Sequence, residues 1–125
     1  SWKLNACPMD GGDLAVSASG SLSTIWRRER EVFTAELGEL RERRLGQGVQ
    51  PTVAATDDGC YFLWLARRGA DLVMSSPTSK IPTTLAKAAS DPDIAAPHSG
   101  NGPVVAVWES GKKPNTSIMA AIIAE

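Results

Sequence analysis

Gly59-Cys60-Tyr61-Phe62-Leu63-Trp64 has two companions in the chain, Gly20-Ser21-Leu22-Ser23-Thr24-Ile25-Trp26 and Gly102-Pro103-Val104-Val105-Ala106-Val107-Trp108. Each runs from a turn glycine through an apolar stretch to a tryptophan. Upstream of each glycine a second phrase recurs, Asp13-Leu14-Ala15-Val16, Thr52-Val53-Ala54-Ala55 and Asp93-Ile94-Ala95-Ala96: a polar residue, then Leu or a β-branched residue, then Ala, then a small residue. Leu14 and Val53 are 39 residues apart, and Val53 and Ile94 are 41 apart. A period of about forty is that of small sheets stacked side by side, as in propeller blades, where each unit buries its faces only against its neighbours. The chain therefore divides as a single domain into three blade repeats, about 1–48, 49–90 and 91–125.

Composition bounds the function from another side. Thirteen Lys and Arg against fourteen Asp and Glu give a formal net charge of −1 in 125 residues. That balance leaves no footprint for nucleic acid or for anionic lipid. No apolar run approaches the roughly 20 residues that cross a bilayer, and Ser1-Trp2-Lys3-Leu4 lacks the regions of a signal peptide. With Ser1 in place of an initiator Met, a processed form or a piece of something longer is expected. Cys7 and Cys60 permit one disulfide without requiring it. A buried thiol is the expected state of Cys60, which lies inside an apolar run.

The local signals within each unit are those of hairpins. Alternating residues and Gly-containing turns predict strands over 13–18, 22–28, 51–56, 60–66, 70–75, 93–97, 103–109 and 117–124. Val32-Phe33-Thr34-Ala35 predicts a third strand in the first unit, 40–45 a fourth, and 81–85 a weak fourth in the second. One segment conflicts. From Glu29 to Leu45 the chain is rich in Glu, Arg and Leu and is followed by Gly46, so propensity alone predicts a helix near 30–45 and an α+β fold. The repeat resolves the conflict in favour of strands, because equivalent stretches of the neighbouring units read as strands, and the fold expected is all-β and antiparallel. The third unit has three strands and no fourth. Trp2-Lys3-Leu4-Asn5-Ala6 alternates as an edge strand does and is expected to supply a missing outer strand. Three blades do not close a ring, so closure is expected from a second copy in a two-fold ring or from the remainder of a longer propeller.

Trp2-Lys3-Leu4-Asn5-Ala6-Cys7-Pro8-Met9-Asp10-Gly11-Gly12, with the Leu-Ala strand and the Trp-ending strand after it, resembles bacterial sialidase-like BNR-repeat proteins. Gln50-Pro51-Thr52-Val53-Ala54-Ala55 and Gly102-Pro103-Val104-Val105-Ala106-Val107-Trp108-Glu109 fit the same pattern. The resemblance implies half of a six-bladed β-propeller, a possible carbohydrate ligand, and a secreted or periplasmic location. It does not extend to the family's chemistry. The Asp box, Ser-x-Asp-x-Gly-x-Thr-Trp, is kept nowhere: Ser19-Gly20-Ser21 lacks the Asp, and Thr56-Asp57-Asp58-Gly59 lacks the Trp. Nor is a triad of arginines with a Tyr–Glu nucleophile pair legible. The function implied is thus a catalytically incomplete ligand-binding, glycan-binding or assembly module, the alternative being half of an active glycoside hydrolase completed by absent blades or a partner chain.

The candidate ligand-binding set is Asp10, Asp13, Asp93 and His98. Asp10 and Asp13 flank one turn, and Asp93 occupies the position equivalent to Asp13; these are expected at the mouth of the innermost strands, around the central channel where propellers hold ligands. A cation or a sugar hydroxyl suits such carboxylates. The simpler reading, that each Asp accepts nearby backbone N–H groups in an Asx-type turn, is preferred. His98 is the sole histidine and lies in a long turn, so a metal site of several imidazoles is excluded within one chain. No cofactor, metal or catalytic residue is assigned. Tyr61 and Glu109 could form a nucleophile pair, but Tyr61 alternates with Trp64 as a structural aromatic does. Arg27-Arg28 and Arg67-Arg68 follow their tryptophans at matching places and suit carboxylates or phosphates, although solvated strand-end turns balanced by Glu29 and Glu31 are the preferred reading. Gly46-Gln47-Gly48 and Asp10-Gly11-Gly12 lack the phosphate-loop pattern and read as connections between blades.

Overall fold

The structure is a computed structural model that describes residues 11–39, 41–98 and 102–125, apart from the side chain of Lys80. Its ten strands are β1 (Asp13–Val16), β2 (Leu22–Arg28), β3 (Glu31–Glu36), β4 (Arg43–Gln47), β5 (Val49–Thr56), β6 (Gly59–Leu65), β7 (Ala70–Ser76), β8 (Ser79–Ala95), β9 (Val104–Lys112) and β10 (Asn115–Ala124). The fold is all-β and its sheets are antiparallel. Among the described residues there is no helix, so the α+β alternative does not apply. Residues 31–36 and 43–47 are strands because Val32, Phe33 and Thr34 lie buried in the sheet, where packing outweighs the helix propensity of the surrounding Glu and Arg.

Blade 1 is the four-stranded meander β1-β2-β3-β4. Blades 2 and 3 share one six-stranded sheet in the order β10-β9-β8-β7-β6-β5. The sharing has a simple cause: β8 is 17 residues long, its first part pairs β7 as the outer strand of blade 2, and its last residues pair β9 as the inner strand of blade 3. Between the two roles the strand bends through Ala88 and Asp91, whose φ values are +52° and +47°, and the register shifts. The corresponding bend between blades 1 and 2 falls at Gln50, φ +50°. Gln50 and Asp91 stand 41 residues apart, each before a proline, and they join: Gln50 Nε2 donates to Asp91 Oδ1 at 2.6 Å and the Asp91 N–H to Gln50 Oε1 at 3.3 Å.

The core lies between blades rather than within them. Ile25 and Val32 of blade 1 pack on Val53, Phe62 and Trp64 of blade 2. Alternation turns Ala54, Leu63, Leu65 and Leu72 the other way, onto Ile94, Val104, Ala106 and Trp108 of blade 3. Trp64 seals the first of these seams. Its indole N–H donates to the Gln47 carbonyl at 3.1 Å, and a Cβ at Gly48 would stand 2.3 Å from its Cδ1. The Gly46-Gln47-Gly48 connection is glycine-flanked because the indole lies against it.

Candidate functional site

The inner strands of successive blades start side by side, and the first polar residue of each meets the next. Asp13 Oδ1 accepts the Leu14 N–H at 2.8 Å, while its Oδ2 accepts the Val53 N–H at 2.9 Å and the Thr52 hydroxyl at 2.8 Å. Asp93 Oδ1 accepts the Ile94 N–H at 2.8 Å and lies 3.3 Å from Thr52 Oγ1. A threonine hydroxyl has one proton, so the shorter contact to Asp13 takes it and the approach to Asp93 stays weak. Asp13, Thr52 and Asp93, equivalent in the repeat, thus form one row across three blades. Each aspartate accepts the N–H of the residue after it, a local backbone bond one residue short of an Asx turn, and Asp13 also grips the next blade.

Of the other candidates, Asp10 lies outside the described residues, as do Cys7 and 2–6, the segment expected as an outer strand. His98 is exposed, beyond the end of β8 and five residues on from Asp93. At about 3.3 Å per strand residue it belongs to the opposite end of the blade, so the set does not converge. Tyr61 packs into the core between blades 2 and 3, whereas alternation along β9 turns Glu109 to the far face of blade 3. The two do not meet.

Antiparallel pairing places the turn that follows β2, β6 and β9 in each blade at the same end as the row of Asp13, Thr52 and Asp93. Those turns carry Arg27, Arg28 and Arg30, then Arg67 and Arg68, then Lys112 and Lys113. The third basic pair escaped the sequence reading because it is lysine and stands further from its tryptophan. Arg27 Nε donates to the Glu29 carbonyl, and Arg28 forks onto both Glu42 carboxylate oxygens at 2.6 and 3.0 Å while standing 4.1 Å over the Phe33 ring. Glu31 pairs Arg44, and the Glu29 carbonyl accepts from Arg27. Arg67 and Arg68 are exposed.

At the other end, blades 1 and 2 part into a cleft of about 600 Å³. Its walls hold the hydroxyls of Ser23, Thr34 and Ser75, the carboxylates of Glu36 and Asp58, and Arg43, whose guanidinium stands 5.9 Å from the Phe62 ring centroid. No local run of residues marks it, since its lining comes from six strands and the turns between them. Cys60 opens onto this cleft as a free thiol and donates to Ser23 Oγ at 3.1 Å. Burial pushes its pKa up from the ordinary thiol value, because the thiolate loses hydration. Modification by a maleimide reagent at neutral pH is accordingly expected to be slower than for a free cysteine, accelerating as the pH is raised. A rate equal to that of an unstructured peptide thiol would contradict this. Among the described residues no three His, Cys, Asp or Glu side chains gather as a metal site. No protein-family model and no curated protein matches the chain.

Proposed function

We propose that the chain is a catalytically incomplete, sialidase-like β-propeller repeat module that binds an uncharged glycan in the cleft between blades 1 and 2. The observation that carries the reading is the lining of that cleft: the carboxylates of Glu36, Glu39, Glu42 and Asp58 outweigh the guanidiniums of Arg41 and Arg43 beside the Phe62 ring, a balance that suits the hydroxyl groups of an uncharged sugar and disfavours an anionic one. The volume, about 600 Å³, suits one or two sugar rings. The repeat pattern and the resemblance to BNR-repeat proteins support the carbohydrate class. The separation of Tyr61 from Glu109 supports binding without hydrolysis.

Calorimetric titration with sialyllactose and with neutral lactose tests the reading. Lactose is expected to bind more tightly, and Glu36→Ala to weaken it by about tenfold, as loss of a charge-assisted hydrogen bond does. Absence of binding by either sugar would exclude a glycan ligand. Release of fluorophore from a fluorogenic sialoside would instead make the chain part of an active glycoside hydrolase.

A further inference from the structure

The same repeat positions that are sealed between blades lie open at the two ends of the array. Facing the following blade, Ile25, Leu63 and Val107 are equivalent, and so are Val32, Leu72 and Ile118, by the register of each blade. The first two members of each set are fully buried, whereas Val107 is 36% and Ile118 73% exposed. Facing the preceding blade, Leu14, Val53 and Ile94 are equivalent; Val53 and Ile94 are buried and Leu14 is 61% exposed. Blade 3 thus ends in an apolar flank of Val107, Ile118 and Ile122, and blade 1 in a flank of Leu14, Val16 and Trp26. Each is one half of the contact that the chain already makes twice.

We infer that the open flank of blade 3 is covered by the blade 1 flank of a second copy of this chain, and its own blade 1 by the copy's blade 3, closing a six-bladed ring about a two-fold axis along the channel. The occupant follows from continuity with the internal seams. What covers Ile25 and Leu63 is a flank with an aliphatic residue at the Val53 position and a tryptophan at the Trp64 position, and Leu14 with Trp26 is that pair in the open flank of blade 1. Two such contacts form at once in a two-fold ring, so closure removes both open flanks. The inference is independent of the glycan reading.

Sedimentation equilibrium of the whole chain, with and without substitutions at the exposed positions, tests it. The intact chain is expected to have twice its 13.2 kDa mass. Ile118→Asp and Leu14→Asp are each expected to raise the dimer dissociation constant more than about tenfold while leaving the circular dichroism spectrum unchanged, since both side chains are exposed in the single copy. Mixing the two variants is expected to restore association, because one of the two contacts then has both flanks intact. A monomeric intact chain, a mass other than that of a dimer, an unperturbed dimer in either variant, or failure of the mixture to reassociate would each overturn the ring.

Discussion

Trp64→Ala is expected to lower the unfolding free energy by about 3–5 kcal/mol, the usual cost of deleting a large buried aromatic. Trp64 is 2% exposed and packs on Ile25 and Val32 across the boundary between blades 1 and 2. Its ring fills the space that Gly48 leaves open, so truncation leaves a cavity that the backbone of 46–48 has no side chains to fill. It also removes the donor to the Gln47 carbonyl. Trp64→Phe keeps most of the apolar area and separates the terms, with an expected loss of about 1–2 kcal/mol from the hydrogen bond and the smaller ring. Urea unfolding followed by circular dichroism measures both. A loss under about 1 kcal/mol for the alanine variant would show that this seam does not govern stability.

Asp13→Ala is expected to cost about 2–4 kcal/mol, and Asp93→Ala, at the equivalent position, less than about 1 kcal/mol. The difference is a matter of surroundings. The Asp13 carboxylate accepts two backbone N–H groups and the Thr52 hydroxyl, and Val53 is buried, so truncation strands the Val53 N–H away from water and leaves the Thr52 hydroxyl only the weaker contact to Asp93. Asp93 is exposed, and water replaces it on the Ile94 N–H. Asp13→Asn, which keeps one acceptor oxygen, is expected to fall between the two. Equal losses at Asp13 and Asp93 in the same denaturation experiment would contradict the assignment of Asp13 to blade docking.

The repeat itself was open to a reader of the sequence. The Gly-to-Trp phrases and the polar-aliphatic-Ala phrases mark the second and first strands of each blade, and the structure has them at 22–28, 59–65 and 104–112, and at 13–16, 49–56 and the end of β8. Turn glycines and short apolar runs are local signals, and a strand buried on both faces keeps such a run, as 60–65 does. The charged stretch 29–45 was harder, because exposed Glu and Arg on a sheet have the same composition as those on a helix. There packing decided, through the burial of Val32 against blade 2 and of Phe33 under Trp26 and Arg28 of its own blade. Beyond reach of any local pattern was how β8 serves two blades in one strand. That depends on left-handed residues at Ala88 and Asp91, types that do not announce the conformation as glycine does. The Gln50-Pro51 and Asp91-Pro92 pairs, spaced as the repeat is, were the one trace of it.

What the chain determined by its sequence alone is the unit: an antiparallel run of short strands, repeated three times at a period set by strand and turn lengths. The tertiary structure decided which polar residues meet. Asp13, Thr52 and Asp93 come together because they hold one repeat position in adjacent blades. His98 is left at the far end because a strand carries it away. The cleft around Arg43 exists only where two blades diverge. Strand pattern is encoded within each forty-residue unit, whereas a site between blades depends on their relative placement, which is set by long-range packing of Trp64 and its neighbours and by no local run of residues.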